Sequence, residues 1–166
     1  MAAGGERLWR LLPLPGEPPL TRFVDWVSSL GTVLAALERY APHARILVTT
    51  TGFVYQPSET AVREDAPLRP ASPYALSKLA QELVAQHAAE TTTLQVVRCR
   101  PFNHIGPRQS ADFFASSFAR QIARIARGVT DPVIRVGNLT ARRDLSDVRD
   151  VVRAYLALMA SGTPGQ

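Results

Sequence analysis

At 166 residues the chain is long enough for one domain with a buried core. Its 46% hydrophobic and 20% charged residues suit a soluble globular protein, and no run approaches the roughly 18 apolar residues that a membrane helix needs. The net charge of +5 comes from scattered Arg residues without interleaved aromatics, which argues against nucleic acid and fits an anionic small-molecule partner better.

The apolar patch from Leu8 to Leu14 is short and broken by Arg10 and Pro13. It does not match a secretory signal, so a cytoplasmic location is expected. The lone Cys99 agrees, because it has no internal disulfide partner. No metal site is expected. Of the 19 basic residues, Lys78 is the single Lys. Arg cannot replace Lys where a compact ammonium on a flexible stem is required, so that position stands out.

Residues 1–20 are rich in Gly, Pro and Leu and read as an irregular lead, with the folded domain expected over 21–166. Over 21–40, the positions Phe23, Trp26, Val27, Leu30, Val33, Leu34 and Leu37 follow the 3.6 period of an amphipathic helix. The run RILVTT, residues 45–50, predicts a buried parallel strand. A Pro- and Gly-containing loop over 51–71 follows. Ser72 and Pro73 open the next helix as cap and first-turn residue, and it is expected to run to about Ala89, burying Leu76, Leu79, Leu83 and Val84.

A second strand is predicted over Thr93 to Cys99 and a second polar loop over 100–112. A helix over 113–127 places Phe114, Phe118, Ile122 and Ile125 on one stripe. Val133 to Val136 reads as a short strand and Asp147 to Ala160 as a last helix. Strands alternating with helices imply an α/β fold with a parallel sheet.

Tyr74 and Lys78 stand four residues apart at the start of one helix, so both side chains share a face. A phenol is a poor proton donor at neutral pH, and a neighbouring ammonium makes it a better one by stabilising the phenolate. Such a pair suits acid/base work on an alcohol or ketone. The spacing alone also describes an inert helix-face pair. Its context is more informative, because polar residues follow both predicted strands: the Thr49-Thr50-Thr51 run and Arg100 to Pro107. Ligands of α/β sheets gather at such strand ends.

The phrases SPYALSKLAQE, VVRCRPFNHIGPRQ, SFARQIARI and VGNLTARRDLSDVRDVVRAYLALM occur in order over roughly residues 25–160. They resemble the extended short-chain dehydrogenase/reductases, the nucleotide-sugar epimerase/dehydratase group. Within that group, RPFNHIGPRQ followed by SFARQIARI looks most like the reductases of GDP-linked 4-keto-6-deoxymannose. The resemblance implies a partial Rossmann-like parallel sheet with flanking helices, a nucleotide-sugar substrate, and NAD or NADP as cofactor. It implies Tyr74 as general acid toward the substrate C4 carbonyl, and Lys78 as holder of the nicotinamide ribose that also activates Tyr74. Thr51 would bond the reacting oxygen, and Pro101 and Phe102 would lie by the nicotinamide. Asn103 would bind the sugar or its phosphates, and Arg143 the nucleotide diphosphate. It also implies a possible homodimer through the helices at 21–40 and 73–89.

Plain structural alternatives stand beside these roles. Thr51 could be a β-branched strand end, Asn103 a turn residue, Arg143 a solvated surface charge and His104 a loop donor. A 4-epimerase would use the same Tyr and Lys, and a non-catalytic relic would keep the fold alone.

Several positions depart from the group's pattern. Phe53 stands where its dehydratases place an acidic residue, which argues against dehydration. Gln56 replaces a Gly and Ser28 an Asn. No Gly-x-x-Gly-x-x-Gly turn is present, so the first βαβ half of the Rossmann sheet is expected to be missing, along with the rest of the substrate lobe. The chain thus reads as part of an enzyme about twice as long. Its affinity for the dinucleotide alone is expected to be poor.

Overall fold

The computed structural model describes residues 19–166. The irregular lead expected over 1–20 lies almost wholly outside them. The chain divides into two compact units, one of residues up to Pro101 together with Tyr155–Gln166, the other Phe102–Ala154.

In the first unit, helix α1 (Pro19–Tyr40) leads to strand β1 (Arg45–Thr49), a short 3-10 turn (Gly52–Val54), helix α2 (Pro73–Thr91) and strand β2 (Gln95–Cys99). β1 and β2 pair in parallel, from Arg45 opposite Gln95 to Thr49 opposite Cys99. Parallel neighbours need a long crossover, and α2 supplies it. The ladder continues beyond both strands: Thr50 N–H donates to Cys99 O and Gly52 N–H to Pro101 O, each at 2.8 Å. The residues after β1 and β2 are therefore held side by side.

The core joins α1, α2 and the two strands through Leu34, Val48, Ala85, Ala88, Leu94 and Val96. The leucine pattern of α2 is misleading. Ala75, Ser77, Glu82, Ala85 and Ala88 form the buried set, whereas Leu76 and Leu83 remain exposed. Alanines let the α2 backbone approach its neighbours closely, so the face of small residues wins over the face of large ones. Ser72 caps α2 as expected, its hydroxyl accepting from Ala75 N–H at 3.1 Å.

The outer edge of β2 is covered by the C-terminal residues. Gly165 N–H donates to Val96 O, and Arg98 N–H to Gln166 O. Arg45 donates its guanidinium to the carbonyls of Leu158 and Gly162. A cation suits these carbonyls because they close a helix C-terminus.

In the second unit, strand β3 (Asn103–Ile105) pairs in parallel with strand β4 (Leu145–Asp147), and helix α3 (Phe114–Ala126) lies between them in sequence. Helix α4 (Val148–Ser161) follows β4 and contributes residues to both units. β3 falls in the segment expected to be loop. The strand expected over Val133–Val136 is absent: these residues are exposed and irregular. Gln121 explains the difference. Its amide accepts from Arg135 N–H at 2.7 Å and donates to Arg135 O at 3.1 Å, so a side chain takes the place of a strand partner. The stripe on α3 brings Phe114 and Phe118 edge to face, yet Phe114 and Ile122 remain exposed.

Gly106 is required by a close approach. A Cβ there would collide with the Val148 side chain. Gly106→Ala is expected to cost about 1–3 kcal/mol in urea unfolding, and Val148→Ala in the same chain to recover part of that loss. Cys99 yields a second expectation. Burial, and then the Glu82 carboxylate, push its thiol up to about 11. Thiolate is therefore scarce at mildly alkaline pH, and iodoacetamide should modify Cys99 at least roughly tenfold more slowly than free cysteine. Equal rates would contradict the burial.

Candidate active site

Two segments meet at the C-terminal ends of β1 and β2. From β1 the chain runs into Thr50 and Thr51, both buried. Thr51 caps the 3-10 turn, its hydroxyl accepting from Phe53 N–H at 3.3 Å. From β2 the chain runs into Arg100 and Pro101, and the Pro101 carbonyl receives Gly52 N–H.

The first turns of α2 lie against these ends. Tyr74 is 43% exposed, and its ring meets Trp26 of α1 edge-on at 6.1 Å and 88°. Gln81 steadies this contact by donating to Trp26 O at 2.8 Å. Below the Tyr74 backbone, the wholly buried Ser77 donates its hydroxyl to Tyr74 O at 2.8 Å. One turn on, Lys78 Nζ donates to Thr49 O at 3.3 Å. Burial alone lowers the Lys78 pKa, since removing water disfavours its ammonium. The ammonium thus sits at the end of β1, two residues before Thr51.

Glu82 and Arg100 also belong to this region, and sequence reasoning passed over both. Glu82 is 3% exposed. It accepts from Thr50 Oγ1 at 3.1 Å and from Arg100 Nε at 3.0 Å. Arg100 Nη2 adds a further contact, and Arg98 Nη1 lies 3.8 Å away. Arg100 donates in addition to the Tyr55 hydroxyl and to Glu64 O, both at 2.9 Å, with its guanidinium carbon 4.8 Å from the Tyr55 ring centre. Hydrogen bonding to Glu82 holds the Arg100 guanidinium more firmly protonated than usual. A signal was present in the sequence: two Arg flank Cys99 at the end of an apolar strand, and such charges need a carboxylate once buried.

The structure brings Thr51, Tyr74, Lys78 and Pro101 into the first unit and Phe102, Asn103 and Arg143 into the second. There, Asn103 opens β3 and donates to Asp144 O at 3.3 Å. Arg143 is exposed and donates to Arg142 O at 2.7 Å. His104 is exposed, with Nδ1 3.3 Å from Phe102 O, and its own carbonyl receives the Gln109 amide. A depression of about 370 Å³ lies within the loop at 56–67 and includes none of these residues. Among the described residues no helix is long and apolar enough to cross a membrane, and no cluster of three or more metal-ligating residues occurs.

The likeness to known proteins agrees with the motifs. The chain is 40% identical to the GDP-6-deoxy-D-mannose reductase of Pseudomonas aeruginosa, over 84% of this chain and 47% of that protein. The solved structure of RMD from Pseudomonas aeruginosa complexed with NADPH superposes with a TM-score of 0.85 at 36% identity, over 89% of this chain and 50% of that one. MoeE5 in complex with UDP-glucose and NAD superposes with a TM-score of 0.70 at 35% identity, over 89% and 50% respectively. The chain spans about half the length of each. Residues 18–166 match the family model for GDP-mannose 4,6 dehydratase. The chain therefore belongs to the GDP-mannose 4,6 dehydratase family, within the epimerase/dehydratase group of the short-chain dehydrogenase/reductases.

Proposed function

We propose that the chain carries catalytic residues of a nucleotide-sugar reductase acting on the C4 carbonyl of GDP-4-keto-6-deoxymannose. The observation that carries this reading is the position of Tyr74 and Lys78, one turn apart on α2, with the Lys78 ammonium at the end of β1. The similarity to a GDP-6-deoxy-D-mannose reductase supports that branch of the family over the dehydratases. Phe53 counts against dehydration. Its exposed phenyl ring supplies no acid or base where dehydration would need one.

The residues present suit the nicotinamide end of a dinucleotide: a hydroxyl and an ammonium on one helix face, beside two parallel strand ends. Among the described residues no Gly-rich turn offers its backbone to the pyrophosphate. Bound at this end, NADH or NADPH would supply the hydride. The protein's own part is to hold and protonate the oxygen. Tyr74 gives its proton to the substrate O4. Lys78 bonds the ribose hydroxyls and stabilises the phenolate left behind. Thr51 spends a lone pair on Phe53 N–H, and its O–H remains for the same substrate oxygen.

Pro101 and Phe102 are assigned to the nicotinamide, Asn103 to the sugar and Arg143 to the diphosphate. These roles rest on the motifs. The exposed Arg142–Arg143 pair is consistent with recognition of an anion.

Incubation with GDP-4-keto-6-deoxymannose and millimolar reduced nicotinamide is expected to give GDP-rhamnose, with matching loss of reduced cofactor. Tyr74→Phe should lower kcat by about 10²–10⁴-fold. Interconversion of UDP-hexoses at C4 would favour an epimerase, and undiminished turnover by Tyr74→Phe would remove the assignment. Self-association belongs to the same proposal, because Val24, Val33, Leu76 and Leu83 leave apolar surface on α1 and α2. Light scattering should report a dimer mass; a monomer at all concentrations would argue against it.

A further inference from the structure

We propose that Arg100 is a positioning residue: by holding Glu82 it keeps the Lys78 ammonium without a carboxylate partner, available to the reacting phenol and the cofactor ribose. This rests on the role given to Lys78 above. The starting point is a pair that does not form. Lys78 and Glu82 are four residues apart on α2, the spacing at which opposite charges commonly meet on a helix. Their heads end at consecutive residues of one segment, Lys78 Nζ on Thr49 O and Glu82 on Thr50 Oγ1. Even so, the ion pairs of Glu82 among the described residues are with Arg98 and Arg100.

The geometry gives the reason. Arg100 Nε lies 3.0 Å from both Glu82 oxygens, and Nη2 adds a further bond. A planar guanidinium can make this forked contact, whereas a lysine ammonium cannot. Arg100 is itself pinned by the Tyr55 hydroxyl, the Tyr55 ring and the Glu64 carbonyl, so it has little freedom to release the carboxylate. A carboxylate this deeply buried needs a cation. Without Arg100, the cations left to Glu82 are Arg98, 3.8 Å away, and Lys78 on the same helix face, and the forked contact is lost. The lowered pKa of Lys78 has burial as its cause. The other titratable groups of this region are Tyr74 on α2, Tyr55 after the 3-10 turn, Cys99 at the end of β2, Arg98 on β2 and Tyr155 on α4. Burial first, and then Cys99 and Tyr74, push the Tyr155 phenol up.

The single Lys makes the test direct. Reductive methylation with carbon-13 formaldehyde labels Lys78 and the N-terminal amine, and NMR separates their titrations. Arg100→Met is expected to move the Lys78 titration to higher pH, because Glu82 then turns to the ammonium. Adding Glu82→Gln should return it toward the wild-type position, and Glu82→Gln alone should leave it there. A merely structural Arg100 would not produce a rise that Glu82→Gln reverses.

If circular dichroism shows that Arg100→Met does not fold, Arg100→Gln serves instead, with the same direction required. An unmoved Lys78 titration in the folded Arg100 variant, or a rise that persists in the double variant, would overturn the proposal. The readout needs neither substrate nor cofactor. A chain without reductase activity would therefore count against the functional reading and leave the Arg100–Glu82–Lys78 relation decided on its own.

Discussion

One buried carboxylate organises the end of the first unit where β1 and β2 stop. Glu82 reaches from the middle of α2 to the residues that follow β1 and β2, bonding Thr50 on one side and Arg100 on the other. Charges are costly to bury, and the cost is met here by several donors converging on one group. The network therefore depends on arrangement: a missing donor would leave an uncompensated charge. That dependence ties the rotation of α2 to the strand ends, and with it the places from which Tyr74 and Lys78 project.

The small residues of α2 complete the constraint. Ala85 and Ala88 bring the helix down onto Val48, Leu94 and Val96, with Leu34 of α1 beside them. Ser77 occupies the same buried face and holds the Tyr74 carbonyl. The helix is thus set by close backbone packing at one end and by a polar clamp in the middle. Rigid support of this kind is what the acid/base role proposed for Tyr74 and Lys78 would require.

Much of this arrangement is legible in the sequence. The period of Leu30, Leu34 and Leu37 marked α1, the β-branched runs marked β1 and β2, and Ser72-Pro73 marked the start of α2. The Tyr74 and Lys78 positions followed from spacing. Other features were not legible because they depend on partners distant in sequence. The leucines of α2 suggest one buried face, while close packing selects its alanines. Val133 to Val136 has strand composition, but a strand needs a neighbour, and Gln121 bonds Arg135 instead. β3 and β4 are three residues each, too short for periodicity to register. Arg100, at the end of an apolar strand, hints at a buried carboxylate, but Glu82 resembles a surface charge in a linear sequence, and only the fold brings them together. The roles assigned to Asn103 and Arg143 came from motif resemblance, and their contacts in the second unit are with nearby backbone carbonyls.

The cap at Thr51 has a chemical corollary. A hydroxyl that rotates freely can greet a visiting group either as donor or as acceptor. Here the backbone N–H of Phe53 claims one lone pair and biases the rotor. With one lone pair engaged, the hydroxyl keeps its hydrogen to give, so an electron-rich oxygen suits it better than a second hydrogen donor would. A side chain that began as the punctuation of a tight turn thereby acquires a polarity preference, set by the main chain two residues along.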